Sequence, residues 1–221
     1  MGWWSRVWRR ETVSAFRPEV PCVRVTLPGW SKDAPNKDPR NWHDSEGDVL
    51  SIHYPTEGFS VLVDSGEAAL RTWCRELAEG QGGGLIEART IAGALGPSFS
   101  LIYKRLNFPA YVYTGMLLTS IEEISLLCTV VASERGATGL REAVVTSKLM
   151  SAGKLDLDGY KRRWAQDPYD PEYNGVDRRV LRFISDDESY DDRFPQHPLS
   201  KIRRVLGALP HNLHFDQAGS M

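Results

Sequence analysis

Cysteine is scarce in this sequence, with three residues among 221. Cys22, Cys74 and Cys128 are far apart, odd in number and set in apolar or helical surroundings. This pattern is typical of reduced core thiols rather than of a disulfide framework or a zinc site. Reduced thiols predict a cytoplasmic protein.

An excess of charge of one sign is also lacking. The formal net charge is −2 and the sequence pI is about 6.2. Such a chain has no long-range field to steer nucleic acid or phosphate groups, so nucleic-acid binding is not expected. The apolar share of 41% and the charged share of 25% are typical of a globular protein that buries a core of its own.

Long apolar runs are missing as well, and a transmembrane segment is not expected. A spanning helix needs roughly 20 apolar residues, and the longest candidates are "YVYTGMLLT" and "ISLLCTVVA". The start, "MGWWSRVWRR", places Trp3, Trp4 and Trp8 among arginines, but no apolar run or cleavage signal follows. We expect residues 1–19 to be a basic and aromatic terminus, frayed or docked, that offers these tryptophans to a partner. Peripheral membrane contact through the same segment is an alternative.

Motifs for cofactors, metals and nucleophiles are absent too. The triple glycine at 82–84 leaves a predicted helix and enters a predicted strand, which is the wrong order for a phosphate loop. No "GxSxG" elbow occurs, "HNLH" has no third ligand nearby, and "DPYDPEYNG" and "SDDESYDD" lack calcium-loop spacing. The sequence therefore predicts no cofactor, no metal and no assigned catalytic residue. His43 and His53 are the histidines of the predicted sheet, and they carry the enzyme alternative.

What is present is a clear order of elements. "VRVTL" and "VLSIHY" alternate and predict a hairpin that opens a sheet, joined at "DSEGD" by a tight connection. Residues 64–80 predict a helix capped by Asp64 and ended by Gly80, with a buried stripe of Leu70, Trp73, Cys74 and Leu77. Three β-rich stretches then predict a meander.

A second helix, capped at Thr138 with Leu140 on its apolar face, closes the predicted core domain. We therefore expect an α+β sandwich at residues 20–153, an antiparallel sheet flanked by helices. A C-terminal helical extension follows at 154–209, and the tail at 210–221 is predicted to be disordered.

From "VTLPGW" through "ERGATGLREA" this element order resembles the PsbP-like superfamily, including its bacterial DcrB-like members. The resemblance covers about residues 20–152 and includes the opening strand that ends in a proline and a tryptophan. Members of that superfamily are mostly non-catalytic binding or assembly factors, which is what the resemblance implies for this chain. The helical extension departs from the pattern.

The stretch "SDDESYDDRFPQHPLS", residues 185–200, is dense in acids. Ser185 and Asp186 are expected to stop a helix by bonding the backbone, and Phe194 to anchor a strap between two helices. His197 is predicted to cap the helix that begins with Pro198. The acids then form the solvated face of the strap, with the alternative that they dock a basic partner. The candidate partner residues of the strap are Asp187, Glu188, Asp191, Asp192 and Phe194.

The combined pattern favours a non-catalytic cytoplasmic protein that binds or assembles with another protein, such as an adaptor, a chaperone or an immunity protein. A hydrolase that uses His43 or His53 with a nearby carboxylate is the main alternative. Membrane association through Trp3, Trp4 and Trp8 is the third.

Overall fold

The computed structural model describes residues 22–32, 40–54, 66–93, 96–121 and 124–216. Trp3, Trp4 and Trp8 lie outside the described residues. The strands are β1 (Cys22–Val25), β2 (Trp30–Lys32), β3 (Asn41–Asp44), β4 (Val49–His53), β5 (Gly83–Gly93), β6 (Gly96–Asn107), β7 (Ala110–Ile121), β8 (Ile124–Ser133), β9 (Ala165–Gln166), β10 (Arg182–Phe183) and β11 (Leu213–Asp216). The α-helices are α1 (Glu67–Gly80), α2 (Leu140–Ser151), α3 (Leu157–Arg163) and α4 (Pro198–Asn212). Three 3-10 helices lie between α3 and α4, at Arg178–Val180, Ile184–Asp186 and Glu188–Arg193.

Seven strands form one antiparallel sheet in the order β2-β3-β4-β8-β7-β6-β5. The predicted fold class, an α+β protein with helices on an antiparallel sheet, is confirmed. The predicted meander is β6, β7 and β8, which pair in succession. The tight connection at "DSEGD" joins β3 to β4, where Gly47 takes a positive φ of 79° that favours glycine.

The structure corrects the predicted opening hairpin, and it corrects the predicted disordered tail for residues 210–216, whereas 217–221 lie outside the described residues. "VRVTL" contributes β1, which pairs antiparallel with β11 in a separate two-stranded sheet, from Cys22 opposite Asp216 to Val25 opposite Leu213. Residues 210–216 are therefore the end of α4 followed by a strand. Nothing in the local periodicity of either segment reports a backbone pairing that joins the two ends of the described chain.

One face of the large sheet is covered by α4. Ile202 and Leu206 pack over Gly115 of β7, where an added Cβ would lie 2.3 Å from a methyl carbon of Ile202. The absence of a side chain at Gly115 thus lets the helix approach the strand closely. The apolar stripe of α4 faces the sheet, and its members Leu199, Ile202, Leu206 and Leu209 are all buried.

The opposite face of the sheet is covered by α1. Leu70, Cys74 and Leu77 are buried as predicted, whereas Trp73 is half-buried at the edge of the cluster and Ala78 takes a fully buried place. The helix begins at Glu67, and Asp64, its predicted cap, lies outside the described residues.

The predicted face of α2 is wrong. Leu140 is exposed, and the buried residues of the helix are Arg141 and Val145. Gly139, in the left-handed conformation with φ 73°, stands at the helix start in place of Thr138. Arg141 occupies the buried face because the strap of the same chain supplies hydrogen-bond acceptors for its guanidinium. Hydrophobic periodicity does not detect hydrogen bonds of this kind.

The chain from 154 onward contains α3, the strap and α4. Residues 176–184 lie inside the predicted helical extension, and they are a 3-10 turn followed by β10. The buried aliphatic residues of α4 belong to the same apolar cluster as β3, β4, β7 and β8. The boundary at 153/154 stays a prediction.

The free edge of β5 is occupied by a side chain. Tyr169 Oη donates to the carbonyl of Ala88 and accepts from its N–H, both at 2.8 Å.

Among the described helices, none is long and apolar enough to cross a membrane.

Candidate functional site

An ion pair without solvent contact lies where the strap meets the sheet. β6 places Lys104, and the 3-10 helix Ile184–Asp186 places Asp186, so that Nζ donates to Oδ2 at 2.7 Å with both side chains fully buried. The same Oδ2 accepts from the N–H of Phe183, and Nζ lies 3.1 Å from the centre of the Phe183 ring. Burial lowers the pKa of Lys104, and the charge of Asp186 opposes that shift.

Arg141 fastens the strap to α2. Its guanidinium donates to the carbonyl oxygens of Ser185 at 2.6 Å and Asp187 at 2.9 Å, to Ser200 Oγ at 2.8 Å and to Asp191 Oδ1 at 2.9 Å. A fully buried arginine with four acceptors orients the strap and the first turn of α4 at once.

Asp191 is buried in ion pairs rather than solvated, which corrects the prediction for this residue. Arg203 of α4 donates to both of its carboxylate oxygens, at 3.0 and 3.2 Å, in addition to the bond from Arg141. Only 21% of the Asp191 side chain is exposed. Since Arg203 also pairs with Glu87 of β5, the strap, the sheet and α4 share one charge network.

The other strap residues behave differently. Glu188 and Asp192 are exposed, and Glu188 pairs with Arg89 at 3.2 Å. Asp187 is about half-exposed, caps the next 3-10 helix and pairs with Arg182. Phe194 is half-buried against the apolar cluster around Trp164, in agreement with an anchor. Docking of a partner on these residues stays a prediction.

Next to the ion pair, Glu134, Glu142 and His197 bring one ligand-type atom each within 4.8 Å of one another. Glu134 lies just after β8 and accepts from the N–H groups of Tyr111 and Gly139, so it joins the start of β7 to the start of α2. Burial tends to raise the pKa of Glu134, but His197 and these two N–H groups hold it below its ordinary value. His197 Nε2 lies 3.6 Å from Glu134 Oε1.

This trio does not fit a metal ion. His197 caps α4 as predicted, and its Nδ1 accepts from the N–H of Leu199. A neutral imidazole that accepts at Nδ1 carries its proton on Nε2, so Nε2 has no lone pair for a metal. Metal-bound histidines instead donate their second ring nitrogen to an acceptor.

A second acidic group lies in the β3–β4 turn, and a lysine occupies it. Lys201 of α4 donates to Asp44 Oδ2 at 2.7 Å, to Glu46 Oε2 at 2.9 Å and to Asp48. The turn therefore clips the helix to the sheet edge.

The histidines of the enzyme alternative lie in strands. The backbone of His43 stands opposite Ser31 and Val49, and that of His53 opposite Leu127. The Asp44 oxygens accept from Lys201 and from the N–H groups of the turn. A catalytic role for either histidine stays a prediction.

The described thiols are core residues. Cys74 and Cys128 are free and fully buried, and burial raises the pKa of Cys128 to about 12. Burial raises the pKa of Cys74 as well. Neither thiol is an available nucleophile at neutral pH.

The large hydrophobic side chains that the described part of the chain exposes belong to the β6–β7 turn, α2 and α3. They are Phe108 (87% exposed), Leu157 (71%), Leu140 (55%) and Tyr160 (39%). We call these four residues the apolar end. Sequence patterning does not reveal this end, because an exposed Leu140 or Leu157 reads as a core position of its helix.

Ring contacts and one carboxylate connect the elements that carry them. Tyr160 stacks on Trp164 with ring centres 5.2 Å apart, Trp164 stacks on Phe183 at 5.9 Å, and Phe183 meets Tyr111 at 5.8 Å. Tyr111 is the second residue of β7, after the β6–β7 turn that carries Phe108. Glu134 bonds both the N–H of Tyr111 and that of Gly139, the neighbour of Leu140.

Comparison with known proteins gives little more. No protein-family model matches the sequence, and no curated protein matches it significantly. The crystal structure of LpqN, involved in cell envelope biogenesis of Mycobacterium tuberculosis, is similar over 63% of this chain and 82% of that chain, with 10% identity and a TM-score of 0.30. The resemblance to the PsbP-like superfamily stays a prediction.

Proposed function

We propose that this chain is a non-catalytic cytoplasmic binding or assembly protein that docks a partner protein on its apolar end. The observation that carries the proposal is the exposure of Phe108, Leu140, Leu157 and Tyr160 on three elements that ring contacts and Glu134 connect. Large apolar side chains that a fold leaves exposed are typical of protein interaction sites. The buried thiols of Cys74 and Cys128 support the non-catalytic and cytoplasmic parts of the proposal.

The charges around this end indicate the chemistry of the partner. The last turn of α3 carries Lys161, Arg162 and Arg163, all of them exposed. A partner surface with an apolar centre and an acidic rim would cover Leu157 and Tyr160 and pair with these three cations.

A protein suits this end better than a membrane. Asp156 and Asp158 flank Leu157 and are both exposed. An anionic bilayer repels carboxylates at the depth that Leu157 would have to enter, whereas a protein can place donors opposite them.

The experiment is affinity isolation from the native host with the parent chain and with Phe108→Ser/Leu157→Ser. Both residues are exposed, so the double variant should fold with an unchanged melting temperature. We expect proteins that co-purify with the parent to be lost with the double variant and kept with the control Glu76→Gln, which alters an exposed residue of α1. Purified partner should then bind the parent directly, and more weakly at high salt.

Equal capture by the double variant would contradict the proposal. Parent-specific sedimentation with phosphatidylserine vesicles, lost in the same double variant, would assign the end to a membrane instead. If the partner binds the strap acids instead, Glu188→Gln/Asp192→Asn should lose the partner, whereas Phe108→Ser/Leu157→Ser should capture it fully.

A further inference from the structure

Six buried polar atoms without a hydrogen-bond partner in the described chain lie on five residues of the junction between α2, the strap, α4 and the sheet. They are Glu142 Oε1 and Oε2, Tyr113 Oη, His197 Nε2, Asp186 Oδ1 and Ser185 Oγ. Native structures leave few buried polar atoms unpaired, so a concentration of them calls for a specific protonation state or ligand.

Glu142 is the central group of this junction. It lies in the first turn of α2, close enough to the helix start that a Cβ on Gly139 would be 3.9 Å from its Oε2. The helix N-terminus favours a negative charge there. Burial and the nearby carboxylate of Asp186 outweigh it and raise the pKa of Glu142.

The cations nearby are committed elsewhere. Lys104 donates to Asp186 at 2.7 Å, and Arg141 spends its guanidinium on the strap and on Ser200. Burial raises the pKa of Tyr113, and the charges of Asp186, Glu142 and Glu134 raise it further. A buried carboxylate beside two others and without a cation of its own is disfavoured as an anion.

We propose that the folded protein holds a proton on Glu142 at neutral pH, and that loss of this proton loosens α2 from the strap and from α4. The proton comes from solvent, adds to one carboxylate oxygen and makes that oxygen a donor. Asp186 Oδ1 and Tyr113 Oη are the other carboxylate and phenol oxygens of the junction without a hydrogen-bond partner among the described residues. The site is therefore a binding site for one proton.

Groups that face Glu142 from each packed element set the direction of the pH dependence. The sheet side presents Lys104, Tyr111, Tyr113 and Glu134, the strap presents Asp186, α4 presents His197 and α2 itself presents Arg141. A carboxyl whose folded pKa exceeds its unfolded value destabilises the fold as pH rises through that interval. Glu134 has a lowered pKa and has already ionised there, and Lys104, whose pKa is lowered, shifts stability in the opposite direction.

The substitution Glu142→Gln isolates the contribution of Glu142 to the pH dependence of stability, because glutamine has nearly the same shape as glutamate but does not titrate. The experiment records thermal melts of the parent, of Glu142→Gln and of the exposed control Glu76→Gln between pH 4 and pH 9. We expect Glu142→Gln to melt roughly 7 to 14 °C above the parent at pH 8 and together with it at pH 4, and the control to follow the parent throughout. Infrared spectra of the parent at pH 7 should show the carbonyl band of a protonated carboxylic acid, and the variant should lack it.

The infrared band is measured on the parent protein, so it tests the proposal even if Glu142→Gln does not fold. A parent without that band at pH 7 overturns it. So does a parent whose melting temperature at pH 8 rises on addition of Mg²⁺, Ca²⁺ or Zn²⁺ while that of Glu142→Gln does not, since the site would then hold a cation. Equal melting of parent and variant at every pH also overturns it.

Discussion

Lys104 Nζ and Asp186 Oδ2 lie 2.7 Å apart with both side chains fully buried, although 82 positions separate the residues in sequence. Charged groups that leave water lose hydration free energy, and a buried pair recovers it only while both partners are present. The Lys104–Asp186 pair therefore fixes the position of the strap on the sheet more than it adds to the free energy of unfolding.

The first prediction follows from this pair. Lys104→Met and Asp186→Asn should each lower the free energy of unfolding by roughly 3 to 5 kcal/mol, since each leaves one buried charge uncompensated. The double variant should recover most of that loss, because asparagine can still accept from the Phe183 N–H. Urea unfolding of the four proteins measures the coupling, and additive losses would contradict an interacting pair.

The second prediction tests the close approach of α4 to the sheet. Gly115→Ala places a Cβ against Ile202 and Leu206, and overpacking of this kind costs roughly 1 to 3 kcal/mol. The matched control is Gly207→Ala in α4 itself, where nothing lies within 4 Å of the added carbon. The control should gain up to about 1 kcal/mol from helix propensity. Chemical denaturation checks both, and a neutral Gly115→Ala would mean that α4 does not rest on β7.

A third prediction separates two neighbouring acids of the strap. Asp191→Asn should destabilise the protein because Arg141 and Arg203 lose a shared, mostly buried partner, whereas exposed Asp192→Asn should change stability by less than about 0.5 kcal/mol. Thermal melts compare the melting temperatures of Asp191→Asn and Asp192→Asn directly. Similar melting temperatures would restore the fully solvated strap expected from sequence.

The fourth prediction concerns the clip at the β3–β4 turn. Burial tends to raise the pKa of Asp44, but the bond from Lys201 and the turn N–H groups lower it below the ordinary value of 3.8. A lowered carboxyl pKa gives stability that is fully present above the unfolded value and is lost as pH falls through the folded value. Lys201→Met should thus reduce the melting temperature at pH 7, and the difference from the parent should shrink below about pH 4. A difference independent of pH would assign the loss to packing.

Local signals in the sequence are enough to predict much of this fold. The meander of β6 to β8, the buried stripe of α4 and the His197 cap each follow from residues within one turn or one strand of each other. The β1–β11 pairing does not, because backbone bonds between distant segments leave no periodic trace in either one.

The polar junction shows the same limit. Lys104 shares a strand face with buried Ile102, two positions before it, and Arg141 shares a helix face with buried Val145. The spacing of two along the strand and of four along the helix indicates that Lys104 and Arg141 both point inward. Their acceptors, Asp186 and the strap carbonyls, come from segments more than 40 positions away, so the compensation that allows their burial is a property of the tertiary structure.

Tyr169 holds both backbone groups of Ala88 at the outer strand of the sheet, and this contact bears on how the protein behaves in concentrated solution. A strand from a second molecule that tried to extend the sheet at β5 would have to displace the tyrosine hydroxyl and lose two 2.8 Å hydrogen bonds before it formed its own. Unprotected outer strands are templates for fibrous association. The Tyr169 side chain thus opposes the growth of an intermolecular sheet at this strand.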